Sequence, residues 1–162
     1  MNQDIFHRVE NLGALLKEKS QTVGVAESSS GGLISAHLLS LPGASSYFLG
    51  GSVIYTRYAG RSFLRVTDEE MEGIRAATED YAELNATKVR DLLDSTWGLS
   101  ETGATGPTGN RYGDPAGHSC MAVSGPVSKA ITLSTGSDDR QDNMISFSIA
   151  ALDLLIDCVR QT

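Results

Sequence analysis

The stretch 22–32, TVGVAESSSGG, decides the fold that we predict for this chain. Its first half, 22–26, is a short run of small and β-branched residues, which is typical of a strand buried on both faces. Its second half, 27–32, places three serines and two glycines directly before an apolar, helix-like pattern at 33–41. A buried strand that leads through a tight turn into a helix predicts an α/β fold, in which ligands bind outside the carboxyl ends of the strands.

The serine–glycine turn at 27–32 has two alternative roles on the sequence alone. Backbone N–H groups at a helix start are unpaired and point outward, so the turn predicts an anion site. Beside that site the Ser28 hydroxyl would be exposed and would serve as a nucleophile or a phosphate ligand. In the alternative, residues 28–30 only cap the helix that follows.

Composition limits the classes of function that this chain can serve. Of its 162 residues, 40% are hydrophobic and 20% are charged, so we predict one ordinary globular domain over residues 1–162. The net charge of −7 and the lack of a basic run argue against a nucleic-acid partner, because phosphate backbones require clustered lysine and arginine. A small anionic ligand needs only local donors, and it is the partner that we expect.

The sequence carries no sign of a membrane or export segment. No apolar run approaches the roughly 20 residues that cross a bilayer, and the polar start MNQDIFHRVEN is no signal peptide. We therefore expect a cytoplasmic protein without a membrane partner. Cys120 and Cys158 lie far apart without metal-ligand spacing, so we expect two buried, reduced thiols and no metal site.

Hydrophobic periodicity divides the chain into alternating helices and strands. Helices are predicted at 4–19, 31–41, 67–74, 79–95 and 140–160. Strands are predicted at 22–26, 48–55, 97–102, 118–123 and 130–134, with a loop containing one helical turn at 56–66 and a glycine-rich loop at 103–117. The last two strands form a hairpin while the others are separated by helices, which predicts a mixed sheet with helices on both faces.

Several short motifs occur in an order that one protein family shares. They are AESSSGG at 26–32, PGAS at 42–45, GGSVIY at 50–55, TGATGPTG at 102–109 and DPAG at 114–117. With them the chain resembles the C-terminal domain of the CinA family, the competence/damage-inducible proteins, several of which are nicotinamide mononucleotide amidohydrolases. The resemblance spans nearly the whole chain. It implies a three-layer α/β/α sandwich with a mixed, mostly parallel sheet, and commonly a homodimer, so that we expect a homo-oligomer.

The resemblance also implies an activity and a set of site residues. Family members deamidate nicotinamide mononucleotide to nicotinic acid mononucleotide and ammonia without a cofactor. The resemblance assigns Ser28 as the nucleophile and Tyr55 as its catalytic partner. Contacts with the nucleotide are expected from the serine turn, the glycine strand, the glycine-rich loop and an arginine before the last helix: Ser29, Ser30, Gly31, Gly32, Gly51, Gly103, Ala104, Thr105, Gly106 and Arg140.

Two positions depart from the family pattern: a second family arginine, four residues after Arg140, is Met144 here, and the family lysine is also replaced. The family has a catalytic lysine five residues after the tyrosine, and this chain has Gly60 there. A serine attacks an amide only if a base accepts its proton, and the neighbouring Arg61 keeps positive charge but cannot be that base. His118 is a candidate replacement, and its alternative role is a structural histidine at a strand start.

Three functions are therefore open on the sequence. The first is a nicotinamide mononucleotide amidohydrolase that uses Ser28 with help from Tyr55. The second is a catalytically degenerate nucleotide-binding or regulatory domain, because Gly60 replaces the family lysine. The third is an enzyme that acts on another small anionic substrate with His118 as base. Ammonia release distinguishes the first function from the second, which predicts nucleotide binding alone.

Overall fold

The computed structural model of the chain describes residues 2–162. In that range the elements are α1 (Gln3–Glu18), β1 (Val23–Glu27), α2 (Leu33–Leu39), β2 (Phe48–Val53), α3 (Arg57–Leu64), α4 (Glu79–Leu93), β3 (Trp97–Ala104), β4 (His118–Ser124), β5 (Lys129–Ser134) and α5 (Arg140–Arg160). A short 3₁₀ turn, Ala44–Ser46, separates α2 from β2. The elements follow the predicted order except between residues 56 and 74.

The five strands form one sheet in the order β2-β1-β3-β4-β5. β1 pairs in parallel with β2 and β3, whereas β4 is antiparallel to both of its neighbours. Four strands of this sheet therefore run in one direction and β4 opposes them, which confirms the mixed, mostly parallel sheet. All five residues of β1 are buried, as its small and β-branched residues predict.

Helices cover both faces of the sheet, so that the sheet is the middle of three layers. α1, α2 and α5 pack on one face, where their apolar residues contact Trp97, Leu99 and Met121 of the sheet. α4 packs on the other face against β1, β3 and β4, with α3 beside it. The predicted α/β/α sandwich is confirmed.

Residues 57–64 form the helix α3, so the prediction of a loop at 56–66 is wrong. The Thr56 hydroxyl accepts a hydrogen bond from the Ala59 N–H and caps the helix start. The helix is short and buries few residues, and its apolar spacing is therefore too brief to be recognised by periodicity. α3 matters for function because it carries arginines into the site described below.

The predicted helix at 67–74 is also wrong, although its start signal is present. Thr67 and Glu70 exchange the two hydrogen bonds of a capping box, over 2.9 and 3.2 Å. The chain then makes only tight turns. Gly73, at φ 76°, takes a left-handed conformation that does not continue a helix.

The two cysteines agree with the sequence-based expectation of buried thiols. Cys120 and Cys158 are free and buried, and burial raises the pKa of both thiols. Across the part of the chain that the structure describes, every helix is too short or too polar to cross a membrane.

Candidate functional site

A cleft of about 680 Å³ opens where β1, β2 and β3 end. Ser28 follows β1, Tyr55 follows β2, and Thr102 and Gly103 lie at the end of β3, so three parallel strands bring residues to one place. We call this space the strand-end cleft. Its lining residues are Ser28, Ile54, Tyr55, Thr56, Arg57, Tyr58, Arg61, Ala76, Ala77, Tyr81, Thr102, Gly103, Asn110, Arg111 and Tyr112.

Ser28 is held at the cleft by its backbone. Its N–H lies 3.1 Å from the Glu101 carbonyl oxygen and 3.2 Å from Oε2 of the Glu101 carboxylate. The residue is half-buried and lines the cleft. A serine that is fixed through its amide keeps its hydroxyl free for chemistry.

The expectation that the N–H groups of this turn are unpaired is wrong for most of them. Ser30 donates its N–H to Glu101 Oε2 over 2.8 Å, and Gly32 donates to Glu27 Oε2 over 3.0 Å. The helix start binds anions, but these are two carboxylates of the chain itself. Among the turn amides in the described part of the chain, the Ser29 N–H is left without a protein acceptor.

Glu27 is a structural cap for α2 and not a group of the cleft. It is completely buried and accepts five hydrogen bonds at 2.6–3.0 Å. The donors are the backbone amides of Gly32, Ile34 and Ser35 and the hydroxyls of Ser30 and Ser35. The alternative in which the turn caps the helix is therefore also realised, and a carboxylate takes part in it.

Glu101 is the residue that sequence reasoning missed at this turn. It is completely buried on β3, next to Glu27 on β1, and it also accepts hydrogen bonds from the Ser29 and Ser119 hydroxyls. Burial raises the pKa of the Glu101 carboxyl, against the lowering effect of these donors. The sequence does place this charged residue inside the strand WGLSETGA. Because a buried charge requires hydrogen-bond partners, that placement could have indicated its contacts with the turn.

Tyr55 stands at the cleft with its oxygen held by an arginine. Arg140 donates from Nη2 to the Tyr55 Oη over 3.3 Å and from Nη1 to the Gly106 carbonyl oxygen over 2.7 Å. The start of α5 thereby connects the glycine-rich loop to the tyrosine. Since the tyrosine oxygen accepts this bond, its own hydrogen is free to donate into the cleft.

Three arginines give the strand-end cleft a cationic wall. Arg57 and Arg61 project from α3 and share one carboxylate, that of Asp68. Arg111 comes from the glycine-rich loop and has no ion-pair partner among the described residues. The arginines outnumber the nearby carboxylates, so the cleft favours an anionic ligand although the chain as a whole is acidic.

Aromatic rings stand beside these arginines. Tyr58 is 81% exposed on α3, and Tyr112 is partly exposed on the loop. The Arg75 guanidinium lies 5.1 Å from the centre of the Tyr112 ring and holds Asp114 through bonds of 2.6 and 3.1 Å, which lowers the pKa of Asp114. Sequence reasoning missed the tyrosines, although each ends an Arg-Tyr dipeptide.

Most of the other predicted contact residues lie outside the lining of the cleft. Ser29 and Ser30 are buried, with their hydroxyls bonded to Glu101 and Glu27. Of the predicted residues in the glycine-rich loop, Gly103 lines the cleft, whereas residues 104–106 are buried and braced by neighbouring groups. The predicted residues that the cleft lining does not include are Ser29, Ser30, Gly31, Gly32, Gly51, Ala104, Thr105, Gly106 and Arg140.

His118 has the structural role that was its alternative on the sequence. Its Nε2 lies 2.8 Å from the Ala77 carbonyl oxygen, on the segment that leads into α4. The histidine is absent from the lining of the strand-end cleft. The hypothesis that His118 is the base for Ser28 therefore has no support from the geometry.

Gly60, at the position of the family lysine, is buried in the middle of α3. A Cβ added there would lie 3.6 Å from the Tyr81 hydroxyl, which is an ordinary contact. Tyr81 lines the strand-end cleft. A side chain at position 60 would therefore begin beside a residue that lines the cleft.

Replacing Gly60 with alanine should raise the free energy of unfolding by about 0.5–1 kcal/mol, because glycine inside a helix costs backbone entropy and the site has room for a methyl group. Urea unfolding of the two proteins measures the change. Gly98→Ala is the matched control, since its Cβ would meet the Ala86 carbonyl oxygen at 1.9 Å and must destabilise the fold. A Gly60→Ala midpoint below that of the wild type contradicts the prediction.

The sequence is similar to a known family model and to several known proteins. Residues 6–159 match the family model of the CinA C-terminal domain. The chain is 40% identical over 115 residues to a CinA-like protein of Acaryochloris marina, an alignment that covers 71% of this chain and 27% of that protein. It is 33% identical over 153 residues to a CinA-like protein of Sulfurihydrogenibium sp., covering 94% and 38%. The chain thus spans about a third of the length of these curated relatives.

Solved structures share the fold. A CinA superfamily protein from Klebsiella pneumoniae superposes with a TM-score of 0.91 over 100% of both chains at 20% identity. A competence or damage-inducible protein from Enterobacter asburiae superposes with a TM-score of 0.89 over 98% of this chain and 99% of that one at 24% identity. At these identities the likeness concerns the fold. The family model and the sequence relatives settle the membership: this chain belongs to the CinA C-terminal domain family.

Proposed function

We propose that this chain is a nicotinamide mononucleotide amidohydrolase, which converts its substrate and water into nicotinic acid mononucleotide and ammonia. One observation carries the proposal: Ser28, Tyr55 and three arginines line the same cleft at the strand ends. A nucleophile, a hydrogen-bond donor and a cationic wall are three of the groups that hydrolysis of an amide on a phosphorylated nucleotide requires.

Ser28 is the nucleophile of the proposed reaction. Its Oγ bonds to the carboxamide carbon, the carbon–nitrogen bond breaks, and the proton that Oγ loses leaves on the departing ammonia. Water then hydrolyses the acyl-serine ester and regenerates Ser28. The N–H of Ser29, which follows the nucleophile directly and has no protein acceptor among the described residues, is the amide available to the oxyanion.

The arginines supply the affinity for the nucleotide. A guanidinium binds phosphate through two parallel N–H groups, and Arg57, Arg61 and Arg111 present such groups to the cleft. The rings of Tyr58 and Tyr112 stand beside them and offer faces on which a planar base can stack.

Ammonia release from nicotinamide mononucleotide by the wild-type protein tests the proposal, with nicotinic acid mononucleotide expected in equal amount. Saturable binding of the nucleotide without either product would contradict hydrolysis and would favour a degenerate binding domain. Gly60→Lys, measured in parallel, would then show whether the lysine that the family has at this position restores turnover.

Replacing Tyr55 with phenylalanine should lower kcat by about 10²-fold, because the substrate nitrogen loses its hydrogen-bond donor. The fold should keep its stability, since Arg140 retains its bond to the Gly106 carbonyl. Steady-state ammonia release measures the effect. Tyr58→Phe is the matched control: it removes a hydroxyl from the same wall and should leave kcat within about twofold. Equal losses in the two variants would contradict a specific role for Tyr55.

A further inference from the structure

The two buried carboxylates under the serine turn differ in the groups that surround their oxygens. Each oxygen of Glu27 accepts a backbone amide: Oε2 accepts those of Gly32 and Ile34, and Oε1 accepts that of Ser35. An N–H group only donates. Both oxygens of Glu27 are therefore committed as acceptors.

In Glu101 only one carboxylate oxygen is restricted in this way to accepting hydrogen bonds. Its Oε2 accepts the amides of Ser28 and Ser30, whereas its Oε1 contacts only the hydroxyls of Ser29 and Ser119. A hydroxyl can donate or accept a hydrogen bond. A proton bound to Oε1 can therefore be donated in a hydrogen bond to one of these hydroxyls.

Ser119 provides the alternative arrangement that such a proton needs. Its Oγ lies 3.1 Å from Glu101 Oε1 and 3.2 Å from the Thr102 carbonyl oxygen, and one hydroxyl hydrogen serves only one of these acceptors at a time. With Glu101 ionised, Ser119 donates to Oε1. With Glu101 protonated, Oε1 donates to Ser119, which turns its hydrogen to Thr102. The network is satisfied in both states.

The surroundings of Glu101 contain one other ionisable group, Glu27 on β1. On β4 the facing residues are Met121 and Ser119, and α5 adds apolar residues to the same core. The histidine of α2, His37, bonds to the Leu33 carbonyl and to the Asn2 amide and so belongs to the contact between α1 and α2. Desolvation therefore dominates at Glu101 and raises its pKa above the ordinary value for glutamate.

We propose that Glu101 is a positioning residue for Ser28, and that its ionised form holds the serine turn in the geometry in which Ser28 reacts. The carboxylate accepts four charge-assisted hydrogen bonds from the turn and β4, whereas the protonated acid donates at Oε1 and accepts more weakly at Oε2. The Ser28 and Ser30 amides are thus held more firmly at higher pH. The kinetic part of this inference rests on the proposed function, and its structural part does not.

As the pH rises and Glu101 ionises, the stability of the fold and the activity should change in opposite directions. A carboxyl whose pKa is raised by folding binds its proton more tightly in the folded state, so its contribution to stability is lost as the pH rises from the ordinary glutamate range through the raised pKa. Ionisation that positions Ser28 therefore costs stability. A carboxylate that only braced the fold would show no such opposition between rate and stability.

Glu101→Gln is the variant that tests the inference, because the structure accommodates it. The glutamine oxygen can accept the Ser28 and Ser30 amides, and its NH₂ can donate to the two hydroxyls that surround Oε1. The variant therefore imitates the protonated acid at every pH. Its folding is checked by urea unfolding before any other measurement.

The structural arm is a pH titration of the folded protein by two-dimensional NMR. The amide signals of Ser28 and Ser30 should shift together in the wild type, with a midpoint above the ordinary glutamate value, and should not shift in Glu101→Gln. The stability of the wild type relative to Glu101→Gln should fall over the same pH range. Amide signals that stay still in the wild type, or that titrate equally in both proteins, overturn the inference.

The kinetic arm is the pH profile of ammonia release. In the wild type kcat should rise through the NMR midpoint, whereas in Glu101→Gln it should be about 10- to 100-fold lower at the optimum and flat over that range, with KM unchanged because Glu101 does not line the cleft. An acid limb that persists unchanged in Glu101→Gln overturns the positioning role. Absence of turnover in the wild type contradicts the proposed function alone, and the NMR arm then decides the inference.

Discussion

Replacing Ser28 with alanine should reduce kcat for ammonia release by on the order of 10³-fold or more, because the variant loses the hydroxyl that forms the acyl intermediate in the proposed reaction. The substitution should leave the fold intact. The bonds that fix Ser28 are made by its backbone amide to Glu101, and alanine keeps that amide. Steady-state kinetics and urea unfolding of the same preparation separate the two effects.

The matched control for Ser28→Ala is Ser35→Ala. The Ser35 hydroxyl donates to Glu27 Oε1 over 2.6 Å on the far side of the same turn. Its loss should lower stability by about 1 kcal/mol and leave kcat unchanged. Turnover that survives in Ser28→Ala would contradict the nucleophile assignment, and a kcat loss shared with Ser35→Ala would attribute the effect to a disturbed turn.

The part of the fold that could be predicted is the part that local pattern determines. β1 is a run of small and β-branched residues between a helix and a Ser/Gly turn, and it is buried throughout. Because the neighbouring strands run parallel to it, Ser28 and Tyr55 had to reach the same edge of the sheet. The cleft location therefore follows from strand order and direction, of which helix–strand alternation predicts the parallel direction and the structure supplies the order.

The errors in the fold arose where local signals compete. Thr67 and Glu70 form a capping box, yet no helix follows it, because a cap does not overcome the cost of helix nucleation in a stretch that contains Gly73. α3 forms despite an internal glycine, since Leu64 packs against the apolar cluster beneath α4. In α3 tertiary packing therefore overrides the low helix propensity of glycine, whereas in residues 67–74 the local conformation of Gly73 prevails over the cap.

The site was harder to predict than the fold because its decisive contacts join distant segments. Glu27 and Glu101 become neighbours only through the register of β1 and β3. Their carboxylates occupy the anion site that the turn sequence predicts for a ligand. The arginines that form the cleft wall come from α3, which was predicted as a loop, and from the glycine-rich loop. Three-dimensional proximity of this kind leaves no local trace in one sequence.

Replacing Glu27 with glutamine should lower the free energy of unfolding by at least about 3 kcal/mol, although the change alters one atom. Whichever way the amide is turned, its NH₂ faces a backbone N–H: that of Ser35 at Oε1, or those of Gly32 and Ile34 at Oε2. A donor that faces a donor in a completely buried site loses the bond and cannot recover it from water.

Glu101→Gln is the isosteric control for Glu27→Gln, because it makes the same chemical change one strand away, where Oε1 contacts hydroxyls that can accept. The free energy of unfolding of Glu101→Gln should be lower than that of the wild type by no more than about 1 kcal/mol near neutral pH. Urea midpoints with unchanged slopes give both values. Equal losses would show that burial of the charge, and not the direction of each hydrogen bond, determines the stability of this turn. A large loss at Glu27 alone would establish that the amide donors of α2 require a carboxylate, and that the turn carrying Ser28 is built on it.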